Sequence, residues 1–115
     1  MSAAMTSRQM LLKLLAAMLA AIAVPAAAAS GDPEAGRKKS TPCAACHGAE
    51  GVSPSDAFPN LAGQYPDYLE TALRHYKNGK RRNPIMQGQV ANLTSKDMMD
   101  LAAYFSTRKA LVVKH

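Results

Sequence analysis

The stretch Cys43-Ala44-Ala45-Cys46-His47 decides how the rest of this sequence is interpreted. Two thiols separated by two small residues and followed directly by a histidine form the pattern of a c-type haem attachment site. Each cysteine sulfur can add across one vinyl group of the porphyrin, and the histidine can then reach the iron. The motif therefore predicts one covalent haem c, held by Cys43 and Cys46, with His47 as the first ligand of its iron.

Two other kinds of site use cysteines at this spacing. A disulfide between Cys43 and Cys46 would form a dithiol redox motif, which usually lies beside a strand–helix–strand pattern. The residues after Ser30 instead carry helical signals and few β-branched runs. Structural zinc needs four ligands, typically with a second Cys or His pair, and His75 and His115 have no such spacing. Haem attachment is the better interpretation.

The start of the chain has the composition of a secretory signal peptide, with basic residues, a short apolar run and a small-residue cleavage region. The stretch from Leu14 to Ala29 has 16 residues and contains a proline, whereas a membrane-spanning helix usually needs about 20. Cleavage is therefore favoured over a retained anchor. We expect residues 1–29 to be the signal peptide, cut between 27 and 30. Residues 30–115 would then be one periplasmic domain without stable membrane insertion.

The charge of the chain is basic. The full sequence of 115 residues has a formal net charge of +6, and removal of the signal peptide leaves 12 basic against 8 acidic residues, near +4. Such a surface can steer an acidic redox partner, whereas no nucleic-acid-binding motif accompanies the charges. The basic residues considered for this docking role are Lys77, Lys80, Arg81, Arg82 and Arg108.

Helix signals recur after Ser30. A carboxylate cap and a proline predict a first helix from Asp32 to about Ser40, with Pro42 disturbing its end. A second helix is predicted from Pro66 to Asn78, and a last one begins at a capping box. Glycine and proline in residues 48–64 and 81–90 predict loops. The pattern therefore predicts an all-α domain.

A second iron ligand is sought among the methionines. A thioether is a soft, neutral ligand that suits iron opposite a histidine. Met86 lies at the centre of the predicted loop 81–90, whereas Met98 and Met99 lie in a predicted helix that restricts how their side chains can be aimed. The alternative for Met86 is an apolar gap-filler. Met86 is the candidate that we select.

A ligating histidine normally donates its other ring N–H to a carbonyl, which sets its tautomer and ring plane. Pro59 follows His47 by twelve residues and is our candidate for that carbonyl. Pro54 is the competing candidate, and both prolines could instead only stiffen the loop. The sequence leaves these alternatives open.

The order of these parts resembles that of class I c-type cytochromes, and in particular one domain of the two-haem periplasmic kind. The resemblance covers essentially all of the chain after residue 30. The stretches that carry it are the helix with Gly36, Cys43–Gly48, Pro59-Asn60-Leu61, Pro84-Ile85-Met86 and Leu101–Phe105. It implies a small cytochrome c fold, in which three to four short helices surround one covalently bound haem.

The resemblance also implies roles for individual residues. His47 and Met86 would be the axial ligands of the haem iron, while Pro59 and Leu61 would contribute to haem packing and to the orientation of His47. Gly36 would pack against the last helix near Tyr104.

The function implied by the resemblance is periplasmic electron transfer by a monomer that is not an enzyme and that exchanges one electron with redox protein partners. Two alternatives remain. The chain could be the haem-bearing subunit of a dehydrogenase or oxidase complex. It could also bind a gas or peroxide at an open iron position.

Overall fold

A computed structural model describes residues 6–18 and 30–110, and within these ranges the chain forms helices and irregular connections without a β-strand. The all-α prediction is confirmed. None of the described helices combines the length and the apolar character needed to cross a membrane. The helices are α1 (Ser7–Met18), α2 (Pro33–Lys39), α3 (Thr41–His47), α4 (Pro66–Asn78), α5 (Pro84–Val90) and α6 (Ser95–Ser106).

The predicted signal peptide is only partly described. Helix α1 covers its basic start and the beginning of its apolar run. The predicted cleavage region, residues 27–30, lies outside the described residues except for Ser30.

The attachment motif itself forms a helix, which the sequence interpretation did not anticipate. Helix α2 ends at Lys39 and Ser40 caps it, but Pro42 then stands in the first turn of α3 instead of ending the helical structure. Proline lacks the N–H that a first helical turn leaves unpaired anyway, so it starts a helix as readily as it stops one. The carbonyl of Ser40 accepts hydrogen bonds from the N–H groups of Cys43 and Ala44 at 2.9 and 3.0 Å.

The second predicted helix is confirmed as α4, which ends at Asn78 and is capped by Gly79 with φ 81°. The loop predicted for residues 81–90 is wrong, because Pro84–Val90 form α5. Asn83 caps this helix by accepting hydrogen bonds from two backbone N–H groups, and Val90 is fully buried. The described part of the domain thus has five helices after residue 30, one or two more than expected.

Helix α6 forms the centre of the core. Its predicted capping box is confirmed, since Thr94 and Asp97 each accept a hydrogen bond from the other's backbone N–H. Helices α2 and α4 both pack against α6. The buried apolar side chains of the described residues are Leu69, Val90, Met98, Leu101, Ala102, Tyr104 and Phe105.

The contact of α2 with α6 is a close backbone approach. A Cβ atom on Gly36 would lie 2.0 Å from the carbonyl oxygen of Asp100 and 2.8 Å from Cβ of Tyr104. The expected packing of Gly36 near Tyr104 is therefore present. The side chain of Asp100, a residue that is 1% exposed, accepts a hydrogen bond from the N–H of Asp32 at 2.9 Å, and this bond holds the start of α2 against α6.

Candidate haem-binding site

Helix α3 brings the three residues of the attachment motif to one helix face. Cys46 and His47 follow Cys43 by three and four positions within Thr41–His47, and side chains at these spacings are neighbours on a helix surface. Both cysteines are free thiols and are half-buried. The spacing was itself a helical signal, which the interpretation of the motif as chemistry alone overlooked.

The ring of His47 is fixed by one hydrogen bond. Its Nδ1 lies 2.8 Å from the carbonyl oxygen of Pro59, the residue predicted for this contact, rather than against Pro54. His47 is only 6% exposed, and its ring meets that of Phe58 edge-on. Because Nδ1 is the nitrogen that donates to the carbonyl, Nε2 carries the lone pair that a metal ion needs.

The Pro59 carbonyl is held by the loop around it. The carbonyl oxygen of Gly51 accepts hydrogen bonds from the N–H groups of Leu61 and Ala62, at 2.7 and 3.0 Å. Gly51 has φ 75°, and a Cβ atom there would lie 2.8 Å from the ring of Phe105. A side chain is therefore excluded at Gly51 by both its backbone and its surroundings. No local pattern in the sequence singles out Gly51.

Cys43 and Leu61 lie at the edge of the core. Both are partly buried and pack against the cluster that includes Leu101 and Phe105. Burial raises the pKa of the Cys43 thiol, because the thiolate is poorly solvated in apolar surroundings. Cys43 thus lies at the edge of an apolar cluster, a setting that suits an anchor for an apolar group.

The three candidate methionines lie in different surroundings. Met86 is half-buried in the first turn of α5, and its backbone N–H donates to the Oδ1 atom of Asn83 at 3.1 Å. Met98 is 3% exposed within the core, and Met99 lines a small cavity on α6. The predicted contrast between a loop for Met86 and a helix for Met98 and Met99 is therefore wrong, because all three lie in helices. Met86 still differs from the other two, since it is neither buried in the core nor among the residues that line that cavity.

The turn that follows His47 is held by the end of α6. The hydroxyl group of Tyr104 donates to the carbonyl of Ala49. The guanidinium group of Arg108 lies 4.7 Å from the centre of the Tyr104 ring and pairs with Glu50 at 3.2 Å. No local sequence signal indicated the contacts of Tyr104 with Ala49 and of Arg108 with Glu50, because the partners in each pair are more than fifty residues apart.

The residues present fit a c-type haem. Two thiols on one helix face and an imidazole with a free Nε2 are the groups that covalent attachment and the first iron ligand need. Partly buried apolar side chains, Cys43, Leu61, Leu73 and Leu93, pack along the core and would offer it an apolar surface. Haem c would be held by Cys43 and Cys46, beside His47.

Comparison with known proteins finds c-type cytochromes similar to most of this chain. The chain is 44% identical over 101 residues to cytochrome c4 of Pseudomonas aeruginosa, with 87% of this chain and 50% of that protein covered. It is 39% identical over 88 residues to the thiosulfate dehydrogenase electron acceptor of Thiomonas intermedia, with 76% of this chain and 38% of that protein covered. The crystal structure of reduced recombinant cytochrome c4 from Pseudomonas stutzeri matches with a TM-score of 0.69 at 41% identity, over 72% of this chain and 48% of that one.

The chain spans about half the length of the cytochrome c4 relatives that it matches, 50% and 52% of the first two. Residues 33–109, which include the attachment motif and all of α2 to α6, match the cytochrome c family. On this match and on the fit of its donor set, the chain belongs to the cytochrome c family and carries covalently bound haem c.

Proposed function

We propose that this chain transfers single electrons between redox proteins through one haem c, with Cys43 and Cys46 as its covalent anchors and His47 and Met86 as its axial ligands. The observation that carries the proposal is the hydrogen bond from His47 Nδ1 to the Pro59 carbonyl, at 2.8 Å. It is the contact that a histidine bound to a metal through Nε2 requires.

The protein's own residues set the properties of this site. Haem c supplies a one-electron couple between Fe(II) and Fe(III) when bound. The Nδ1–H bond of His47 holds the ring in one tautomer and raises the basicity of Nε2. A neutral thioether from Met86 would serve as the second iron ligand and would favour a raised reduction potential. With both positions occupied by protein, no position is left for a substrate, which supports electron transfer over catalysis.

Absorption spectra test the ligands. We expect the oxidised wild-type protein to show the weak far-red band of methionine–iron ligation, and its pigment to stay with the polypeptide in acidified organic solvent. Met86→Ala should abolish the band, whereas Met99→Ala should keep it. Persistence of the band in Met86→Ala would contradict the role of Met86.

Carbon monoxide distinguishes electron transfer from gas or peroxide binding. A ligand pair supplied by His47 and Met86 should exclude carbon monoxide from the reduced wild-type protein at neutral pH. Met86→Ala should bind it readily. Ready binding by the wild-type protein would favour the gas-binding alternative.

The partner that we propose is a redox protein with an acidic surface. A basic segment is exposed at the end of α4 and in the connection to α5, and consists of Lys77, Lys80, Arg81 and Arg82. Among the described residues, none of these four side chains forms an ion pair with a carboxylate. Arg108, which was grouped with them from the sequence, instead pairs with Glu50. The segment directly precedes the helix that contains Met86, and this position supports a role in docking.

Charge variants test the docking role. Arg81→Gln/Arg82→Gln and Lys38→Gln/Lys109→Gln have the same net charge, and all four positions are largely exposed. We expect the first variant to slow oxidation by anionic hexacyanoferrate(III) at low salt several-fold more than the second, since local charge steers encounter. High salt should remove the difference. Equal rates for the two variants would exclude steering by the basic segment.

Export to the periplasm is part of the proposal. The N–H of Asp32 donates to the side chain of Asp100 on α6, and this tie of the first turn of α2 to the core supports a boundary near residue 30. The mass of protein purified from a haem-competent exporting host should correspond to cleavage between residues 27 and 30. Retention of residues 1–29 would favour an anchored form.

A subunit of a dehydrogenase complex is the second candidate, supported by the relative named as a thiosulfate dehydrogenase electron acceptor. The two candidates differ in the lifetime of the contact with the partner. Small, transient contacts are typical of redox encounters. We favour the free, monomeric shuttle, and expect sedimentation of protein purified from its own periplasm to give the mass of one chain.

A further inference from the structure

We propose that Asn60 is a positioning residue for His47, and that its side chain sets the reduction potential by holding the peptide group that His47 bonds. This inference rests on the proposed function, in which His47 is an iron ligand. Asn60 does not touch the imidazole ring. It acts through the carbonyl of Pro59, which belongs to the same peptide group as the backbone nitrogen of Asn60.

The side chain of Asn60 closes the loop on one side of this peptide group. Its Oδ1 atom accepts a hydrogen bond from the N–H of Ser53 at 2.6 Å. The bond spans seven residues, so it fixes Asn60 relative to Ser53 on the opposite side of the loop. Without it, the peptide group between Pro59 and Asn60 would lose its nearest side-chain anchor.

The partner of Asn60 is itself connected to the attachment motif. The hydroxyl group of Ser53 lies 3.3 Å from the carbonyl oxygen of Cys46 and 2.7 Å from that of Ser55. Ser53 thus lies between the end of α3 and the Asn60 side chain. Ser53 therefore connects Asn60, and with it the Pro59 carbonyl, to the helix that contains His47.

Backbone bonds hold the other side of the peptide group. The N–H groups of Leu61 and Ala62 both donate to the Gly51 carbonyl. A side-chain substitution leaves these two bonds in place, whereas it can remove the bond to Ser53. A change at Asn60 should therefore loosen the Pro59 carbonyl without unfolding the loop.

The consequence for the iron follows from the hydrogen bond to His47. A firm bond from Nδ1–H makes the imidazole a stronger electron donor, which favours Fe(III) over Fe(II). When the Pro59 carbonyl is held less firmly, its hydrogen bond to His47 weakens and the imidazole donates less electron density. The equilibrium between the two oxidation states then shifts toward Fe(II). The reduction, in which one electron is added to the iron and no bond is broken, then occurs at a higher potential.

The test compares haem-loaded variants at fixed ionic strength. Asn60→Leu keeps the approximate size of the side chain and removes its oxygen acceptor, whereas Asn60→Asp keeps an oxygen acceptor. Asn78→Leu is the matched control, because Asn78 is also exposed and its Oδ1 atom accepts a backbone N–H, that of Lys80, at 3.0 Å in a surface turn.

We expect Asn60→Leu to shift the equilibrium toward Fe(II) by about tenfold, in line with losses of metal-site partners, which is about 59 mV for one electron. Asn78→Leu should keep the wild-type potential, and Asn60→Asp should show no rise. A second readout is proton exchange at His47 Nδ1 in the reduced protein, which should be faster in Asn60→Leu. A residue that only stabilised the loop would lower the melting temperature and leave both readouts unchanged.

Asn60→Gln provides a further measurement if Asn60→Leu does not load haem, because it moves the same amide by one methylene group. We expect a smaller rise in the same direction. Wild-type potential and exchange rate in whichever of these variants loads haem would overturn the inference. The wild-type spectrum separates this from failure of the proposed function, since a protein without covalent haem or without the far-red band fails before any variant is compared.

Discussion

The hydroxyl group of Tyr104 donates a 2.9 Å hydrogen bond to the carbonyl oxygen of Ala49, a residue 55 positions earlier in the chain. Tyr104 is 4% exposed, and Ala49 comes two residues after His47. The bond ties the last helix to the turn by which the chain leaves the attachment motif. The position of His47 therefore depends on the packing of α6 as well as on α3.

Removing this hydroxyl group should destabilise the folded protein. Tyr104→Phe keeps the buried ring but removes the donor to the Ala49 carbonyl, which we expect to cost about 0.5–1.5 kcal/mol of unfolding free energy, the usual net value of one hydrogen bond. Denaturant titration of the haem-loaded protein measures the change. Tyr68→Phe, at an exposed position of α4, is the control and should have little effect. Equal changes in the two variants would mean that the bond is not stabilising.

Two glycine-to-alanine substitutions should have opposite effects. Gly36→Ala places a methyl group 2.0 Å from the Asp100 carbonyl, so α2 and α6 must move apart, at a cost of about 1–3 kcal/mol or more. Gly88→Ala lies in α5, where an added Cβ meets nothing within 4 Å, and should stabilise by up to about 1 kcal/mol. Thermal unfolding of both variants checks this, and stabilisation by Gly36→Ala would contradict the close helix contact.

The carboxylate of Asp100 should make stability depend on pH. The hydrogen bond from Lys96, followed by that from Asp32 N–H, lowers the pKa of Asp100 in the folded protein. A pKa that is lower in the folded than in the unfolded protein stabilises the fold at any pH above the unfolded-state pKa, which is about 3.9. This stabilisation is lost as the pH falls through the folded-state pKa. Below about pH 4, the unfolding free energy of the wild-type protein should therefore decrease more steeply than that of Asp100→Asn.

Unfolding midpoints measured between neutral and acidic pH test this dependence. Asp56→Asn is the control, because Asp56 is exposed in the loop after α3, and it should keep the wild-type slope. Parallel pH profiles for the wild-type protein and Asp100→Asn would show that Asp100 does not contribute to the acid response.

Loss of the caps at Asn83 and at Thr94 should have different effects on iron ligation. Asn83→Ala removes the acceptor for the N–H groups of Ile85 and Met86, and Thr94→Ala removes the cap of α6. Each should cost about 1 kcal/mol of stability. Only Asn83→Ala should weaken the far-red band, since it loosens the turn that contains Met86. An equal loss of the band in both variants would mean that reduced overall stability, and not the local position of Met86, weakens the band.

Much of this protein could be predicted from short stretches of sequence. The chemistry of Cys43–His47, the start of α2 at Asp32 and the capping box at Thr94 all depend on residues within a few positions of one another. Such interactions form whenever the local backbone adopts the matching conformation, so they are visible in the sequence. The same locality explains the errors at Pro42 and at α5. Proline both begins and ends helices, and a helix of seven residues is marginal until packing supports it.

The tertiary structure decided which groups meet across the chain. The Pro59 carbonyl rather than that of Pro54 lies against His47, and the hydroxyl group of Tyr104 reaches Ala49. These pairs are 12 and 55 residues apart. No local preference specifies such contacts, because they form only when helix packing against α6 and closure of the loop 48–65 fix the relative positions of both partners. The sequence by itself thus determined which donor atoms the site contains, and the packed fold determined how they are oriented.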